Sequence, residues 1–307
     1  MFNLAQAIQE WQAEIGGSAF PSTATTWTPA SATFGAPPHL LVSLPDSGGT
    51  GLVADLSAFP GGGVVNLAQH EAVSGTLVQT LPANVTEAIG TAANDVILGG
   101  SGDAVLNGGG GNDVLVGGQG ATTFLPGAGD STIIGGSGPN TVDYAKDGPA
   151  QVDLSQQSAS HAHGHDTLVD VQNVIGSTGN DTIVGDAHNN TLWGGGGVDT
   201  LTGGGGHDTF VFTKPQTAAT HVTDFQAGDT VALARAMFTG TAPAAGPVAA
   251  ADFTVTTNPA QAHTHVIFNP ASQVLYVDPD GAGPQAPVAV ATLDHATLHA
   301  ADVLIFG

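Results

Sequence analysis

A nine-residue period runs through the middle of this 307-residue chain, and no other feature restricts its fold as strongly. From Gly90 the units read GTAANDVIL, GGSGDAVLN, GGGGNDVLV, GGQGATTFL, PGAGDSTII and GGSGPNTVD. A second series starts at Gly176 with GSTGNDTIV, GDAHNNTLW, GGGGVDTLT and GGGGHDTFV. The eighth position is always a large apolar residue: Ile97, Leu106, Leu115, Phe124, Ile133, Val142, Ile183, Leu192, Leu201 and Phe210. Six turn-forming residues followed by a three-residue strand place one side chain per unit inward. A nonapeptide cannot bury that side chain alone, so the units must coil and stack into a shared core.

Composition narrows what the stack can do. Only three basic side chains (Lys146, Lys214, Arg235) stand against 26 acids, giving a formal net charge of −23. Three cations cannot neutralise a run of phosphates, so nucleic acid and anionic membrane surfaces are excluded as partners. Of the acids 22 are Asp, a turn residue and an oxygen ligand for hard cations. Cysteine is absent, which removes disulfides, thiolate nucleophiles and cysteine zinc sites. No apolar run reaches the length of a transmembrane segment. The first residues carry no basic charge and no apolar run of ordinary export-signal type. Instead Leu4, Ile8, Trp11 and Ile15 predict one amphipathic helix, ended by Gly16-Gly17 and packed on the body of the protein.

The repeats resemble the RTX family, also called haemolysin-type calcium-binding repeats. Gly108–Val116, Gly194–Thr202 and Gly203–Val211 match that family's nonapeptide in full. The resemblance implies an all-β, parallel β-roll, a right-handed β-helix-like solenoid with two nonapeptides per turn and Ca2+ between glycine-rich loops. Val152-Asp153-Leu154-Ser155 through Asn173-Val174-Ile175-Gly176 is similar to the spacer between RTX blocks, and Val65 to Gly90 is a looser copy. Asp224 to Asp229, Asn269 to Gly281 and the ending Ala301 to Gly307 look like the C-terminal segment of type I secretion substrates.

The implied organisation is an N-terminal helix with short strands over 1–62, a roll over 63–212 with a spacer at 144–175, and a C-terminal β segment with a secretion signal over 213–307. Residue types at fixed positions give the expected ligands. Two units make one turn, so a site joins unit n with unit n+2. Side-chain oxygens are expected from Asp95 with Asp113, Asp181 with Asp199, and Asn190 with Asp208, the last pair binding less tightly. Turn carbonyls are expected from Gly108, Gly109, Gly111, Gly176, Gly194, Gly195, Gly197, Gly203, Gly204 and Gly206, because glycine lets the backbone approach an ion closely. The other edge of the first series offers Ala104, Thr122 and Asn140 at position six, with Asp103 displaced by one place. The Ala104/Thr122 edge is expected to hold no ion.

Neither of two common catalytic motifs is complete. His70-Glu71 opens like a zinc-protease helix, but Ser74 stands where the second histidine is needed. No Gly-x-Ser-x-Gly occurs. Two further metal candidates remain. His161, His163 and His165 alternate and would share one face of an extended segment, as would His263 and His265. Asp278 and Asp280 open like a calcium loop, although a hairpin turn between Gln273–Val277 and Val288–Leu293 explains them better, which leaves them as weak metal candidates.

Outward positions of alternate units, Val96, Leu98, Val114, Val116, Thr132 and Ile134, are mostly apolar. They predict a sheet covered by residues 1–62, the C-terminal segment or a second copy. The expected role is a secreted, calcium-binding structural or interaction module with calcium ions as partners, together with self-association or a surface or matrix partner. The alternatives are a secreted hydrolase or epimerase with an unrecognised active site, and a histidine-based transition-metal binder.

Overall fold

The nonapeptide register is the strand register. In the computed structural model, which describes residues 41–43, 52–74, 77–214, 219–239, 242–281 and 283–307, strands Val96–Leu98, Ala104–Asn107, Val114–Val116, Thr122–Leu125, Thr132–Ile134 and Asn140–Asp143 enter two sheets alternately. Each strand pairs in parallel with the one 18 residues on, as in Val96↔Val114 and Ile97↔Leu115. On the opposite sheet Thr123 pairs with Thr141. The second series repeats this with Thr182–Val184, Thr191–Trp193, Thr200–Thr202 and Thr209–Phe212. The result is a parallel β-roll of one 12-stranded and one 16-stranded sheet. The expected N-terminal helix lies outside the described residues.

All ten position-eight side chains are 0% exposed and line one continuous core. Burying each such side chain is worth about 1.5–3 kcal/mol, and the repeat supplies that term at every rung. Outward side chains lie between the two extremes. Val96 is buried, whereas Leu98, Val114, Val116, Thr132 and Ile134 are half-buried. The in-register pairing stacks each of them on its equivalent one turn away, which removes part of their surface from water.

The spacer builds a meander in one sheet only. Gln151–Asp153, Ser158–His161 and Gly164–Val169 form an antiparallel meander between Thr132–Ile134 and Thr182–Val184. The facing sheet passes from Asn140–Asp143 through the single strand Asn173–Ile175 to Thr191–Trp193. Gly63–Asn66, Glu71–Ser74 and Leu77–Thr80 build the same meander at the start of the roll, followed by Val85–Ile89. At the far end Thr230–Ala234 and Val303–Phe306 extend one sheet. Thr220–Val222 extends the other, followed by an antiparallel group with Val274–Val277 and Val288–Leu293 as neighbours.

Candidate metal centre

Position six begins its strand or stands directly before it, and its side chain turns into the roll beneath the preceding turn. One oxygen there accepts a backbone N–H from the neighbouring rung. Asp95 N–H donates to Asp113 Oδ1 at 2.8 Å, Asp113 N–H to Ser131 Oγ at 3.1 Å, and Ser131 N–H to Asp166 Oδ1 at 2.8 Å. In the second series Asp181 N–H donates to Asp199 Oδ1 at 3.0 Å. On the other edge Asn190 N–H donates to Asp208 Oδ1 at 2.8 Å and Asp208 N–H to Asp229 Oδ1 at 3.0 Å. All these position-six groups are buried.

The second oxygen separates two kinds of unit. In the entering units it is committed within its own turn. Thr91 N–H donates to Asp95 Oδ2 and Ser177 N–H to Asp181 Oδ2, while the single side-chain oxygen of Asn190 accepts Asp186 N–H and its amide donates to the Gln172 carbonyl. In the three full-pattern units the glycines at positions two and four adopt positive φ: Gly109 and Gly111, Gly195 and Gly197, Gly204 and Gly206. The Gly109 and Gly204 N–H groups donate instead to Asn107 Oδ1 and Asp224 Oδ2. Asp113 Oδ2 and Asp208 Oδ2 are buried without a hydrogen-bond partner, and Asp199 Oδ2 has the Thr220 hydroxyl at 3.4 Å.

Oxygens close in around the first glycine of each unit. A Cβ at Gly108 would stand 2.2 Å from Asp113 Oδ2 and 2.6 Å from the Pro126 carbonyl. At Gly194 it would meet Asp199 Oδ2 at 2.1 Å, and at Gly203 Asp208 Oδ2 at 2.3 Å. The carbonyls of Gly108, Gly194 and Gly203 press in the same way on Gly90, Gly176 and Gly185 of the turn before. The cradle at Gly108 therefore holds a carboxylate and a carbonyl oxygen, and carboxylate oxygens line those at Gly194 and Gly203, donors that suit a hard divalent cation.

Charge makes the same demand. Burial pushes the Asp113 carboxyl up to about 8; the Asp95 N–H opposes this, while the charges of Asp95 and Asp166 add to it. Burial likewise lifts Asp199 and Asp208 to about 6, with the charges of Asp181 and of Asp229 and Asp224, respectively, adding to the rise. Asp95 and Asp181 are raised by burial, against the pull of their backbone donors. No lysine or arginine pairs with these carboxylates among the described residues. A bound cation would supply the missing charge.

The other edge of the first series is built differently. Asn140 Nδ2 donates to the carbonyls of Gly136 at 3.0 Å, Gly138 at 2.9 Å and Asp170 at 3.1 Å. One amide there satisfies three carbonyls. Thr122 Oγ1 accepts from Gly118 N–H, and Asp103 stays exposed, accepting Ala121 N–H.

Other candidates move. His161, His163 and His165 do not share a face, because Ala162 and His163 form the turn between two antiparallel strands in which His161 pairs with Gly164. His161 is buried, while His163 and His165 are exposed, and His165 lies beside Asp130. His265 Nδ1 meets Asp252 at 3.2 Å, and His263 is exposed. Asp278 and Asp280 lie in the hairpin loop between Val274–Val277 and Val288–Leu293, with Asp280 N–H bonded to Asp278 Oδ1. Burial raises the Asp278 carboxyl, and the neighbouring Asp280 adds to the rise.

Two ladder members escaped the nine-residue count: Asp166 and Asp229. Each leads into the repeat's own ending, Asp166-Thr167-Leu168-Val169 inside the strand Gly164–Val169 and Asp229-Thr230-Val231 at the start of Thr230–Ala234, like Asp181-Thr182-Ile183-Val184. That local signature was the available signal.

Stacked parallel strands with inward aspartates and left-handed glycine turns define a repeat-built roll with cation-binding loops. Residues 89–124, 127–145 and 175–210 match the model of the RTX calcium-binding nonapeptide repeat (4 copies), so the chain carries RTX repeats, and the ion such repeats bind is Ca2+. No curated protein matches. Among solved structures the chain is similar to an extracellular lipase, LipA from Serratia marcescens, at 19% identity and a TM-score of 0.27. The match covers 75% of this chain and 44% of the lipase, so the chain spans less than half of that protein's length. A likeness at this level leaves the lipase activity with the lipase.

Proposed function

We propose that this chain is an extracellular structural or interaction module whose roll folds on calcium, with ions held at Asp113, Asp199 and Asp208. Asp95, Asp181 and Asn190 contribute from the adjacent turn, and the glycine carbonyls complete each shell. The observation that carries the reading is the inward oxygen of Asp113 and of Asp208, buried and without a partner in turns of left-handed glycine. A buried, unpaired carboxylate oxygen is costly, and a cation relieves that cost. Extracellular modules bind calcium at about 10⁻⁴–10⁻³ M, so the chain stays loose at cytosolic calcium and closes outside the cell. Calcium that binds only the folded form then stabilises it by mass action, about 2.7 kcal/mol per site at a hundredfold excess over Kd. A crystal structure of the calcium-loaded protein, with anomalous scattering to locate ions, tests the assignment. Peaks beside Asp113, Asp199 and Asp208 are expected, the last filling at the highest calcium concentration. A peak at Ala104 and Thr122, or none at the three aspartates, would overturn it.

A further inference from the structure

The spacer meander holds a second cluster of ligating side chains, separate from the glycine turns. Asp147 follows the strand Asn140–Asp143, His161 ends Ser158–His161, and His163 stands in the turn before Gly164–Val169. One ligand atom from each of Asp147, His161 and His163 lies within 4.8 Å of the others. The His161 side chain is completely buried, and neither ring nitrogen has a hydrogen-bond partner. Its Nε2 faces Asp166 Oδ2 at 3.3 Å, and Asp166 is held in turn by the Tyr144 hydroxyl at 2.8 Å and by Ser131 N–H. A buried imidazole whose ring nitrogens make no hydrogen bond costs about 1–3 kcal/mol, and an occupant at the open nitrogen would relieve it. A carboxylate facing one ring nitrogen while the other stays uncommitted is the outer-shell arrangement that orients a metal-bound histidine.

We propose that Asp147, His161 and His163 bind one divalent transition metal of the zinc class, with Asp166 orienting His161. Two imidazoles and one carboxylate suit zinc and leave a fourth position for water. Calcium, which prefers an all-oxygen shell, is a poor match for two ring nitrogens. The metal would staple the residues leaving one sheet to the tip of the meander inserted in the other. Asp166 also belongs to the position-six ladder, so the staple would touch the calcium column at one carboxylate.

The test uses the whole chain saturated with calcium. Zn2+ is titrated by calorimetry, and Co2+ serves as a spectroscopic probe of coordination. One ion is expected to bind, with Co2+ d–d bands of low coordination number, and to resist excess calcium. Because replacing buried His161 can prevent folding, the exposed ligand is changed instead. His163→Ala should weaken binding at least about tenfold, since even outer-shell losses cost that much. Asp147→Asn should weaken it too, whereas His165→Ala should leave it unchanged. No ion beyond calcium, displacement by calcium, or equal affinity in wild type and His163→Ala would overturn the proposal.

Discussion

Replacing Asp113 by Asn changes one atom and should reverse the sign of a stability effect with calcium. The amide keeps an oxygen to accept the Asp95 N–H, a bond of 2.8 Å. It removes a buried charge whose titration stands at about 8 in the folded, calcium-free protein against 3.8 for the unperturbed group. At pH 7 the calcium-free fold must take up a proton that the unfolded chain has released. At about 1.4 kcal/mol per pH unit over roughly three units, that step costs on the order of 4 kcal/mol. Asp113→Asn should therefore stabilise the calcium-free roll by a few kcal/mol while removing one bound ion. The calcium-linked gain should then fall by about 2.7 kcal/mol at a hundredfold excess over Kd. Far-UV circular dichroism in excess chelator, with trimethylamine N-oxide added to populate the fold, measures the first effect. Equilibrium dialysis measures the second. A variant that is less stable than wild type without calcium, or that binds the same number of ions, refutes the reasoning.

Other perturbations follow from the same geometry. Asn140→Asp turns a donor to three carbonyls into an acceptor, so the calcium-free roll should lose about 1–3 kcal/mol, and dialysis should show one additional ion at saturating calcium. Gly195→Ala forces a side chain into φ +93° with its Cβ 2.0 Å from the Ser177 carbonyl. The left-handed conformation alone costs about 1–2 kcal/mol, so the calcium midpoint for folding should rise clearly. The pH profiles with and without calcium should cross. The raised carboxyls bind protons more tightly when folded, so in metal-stripped buffer stability should fall as pH rises from near 4 through about 6 for Asp199 and Asp208, and about 8 for Asp113. With calcium present, protons compete with the ion and stability should rise over the same range, as read from urea midpoints.

Period nine made the roll legible because each unit repeats the same local bargain: turn, inward side chain, next turn. Position eight needed no tertiary information, since every apolar residue there had one place to go. The pairing of Asp95 with Asp113 followed from two units per turn. The rest depended on insertions. Asp166 lies 35 residues from Ser131 and Asp229 lies 21 from Asp208, so the meander and the loop before Thr220 carry them out of the 18-residue count while keeping their rungs. The three histidines part for a related reason. Alternation implies one face only on an unbroken strand, and the turn at Ala162-His163 separates His161 from His165. Asp147, 14 residues before His161, joins the cluster because the turn of the meander brings His161 and His163 beside it. Likewise Asn140 looked like a missing carboxylate, whereas its amide satisfies three carbonyls.

Calcium titration of the metal-stripped chain at neutral pH, followed by far-UV circular dichroism, tests the central claim most directly. At a net charge of −23 and with buried carboxylates lacking cationic partners, the chain should show little β signal in excess chelator and gain it cooperatively as calcium is added. A full β spectrum that persists unchanged in excess chelator would contradict calcium-driven folding.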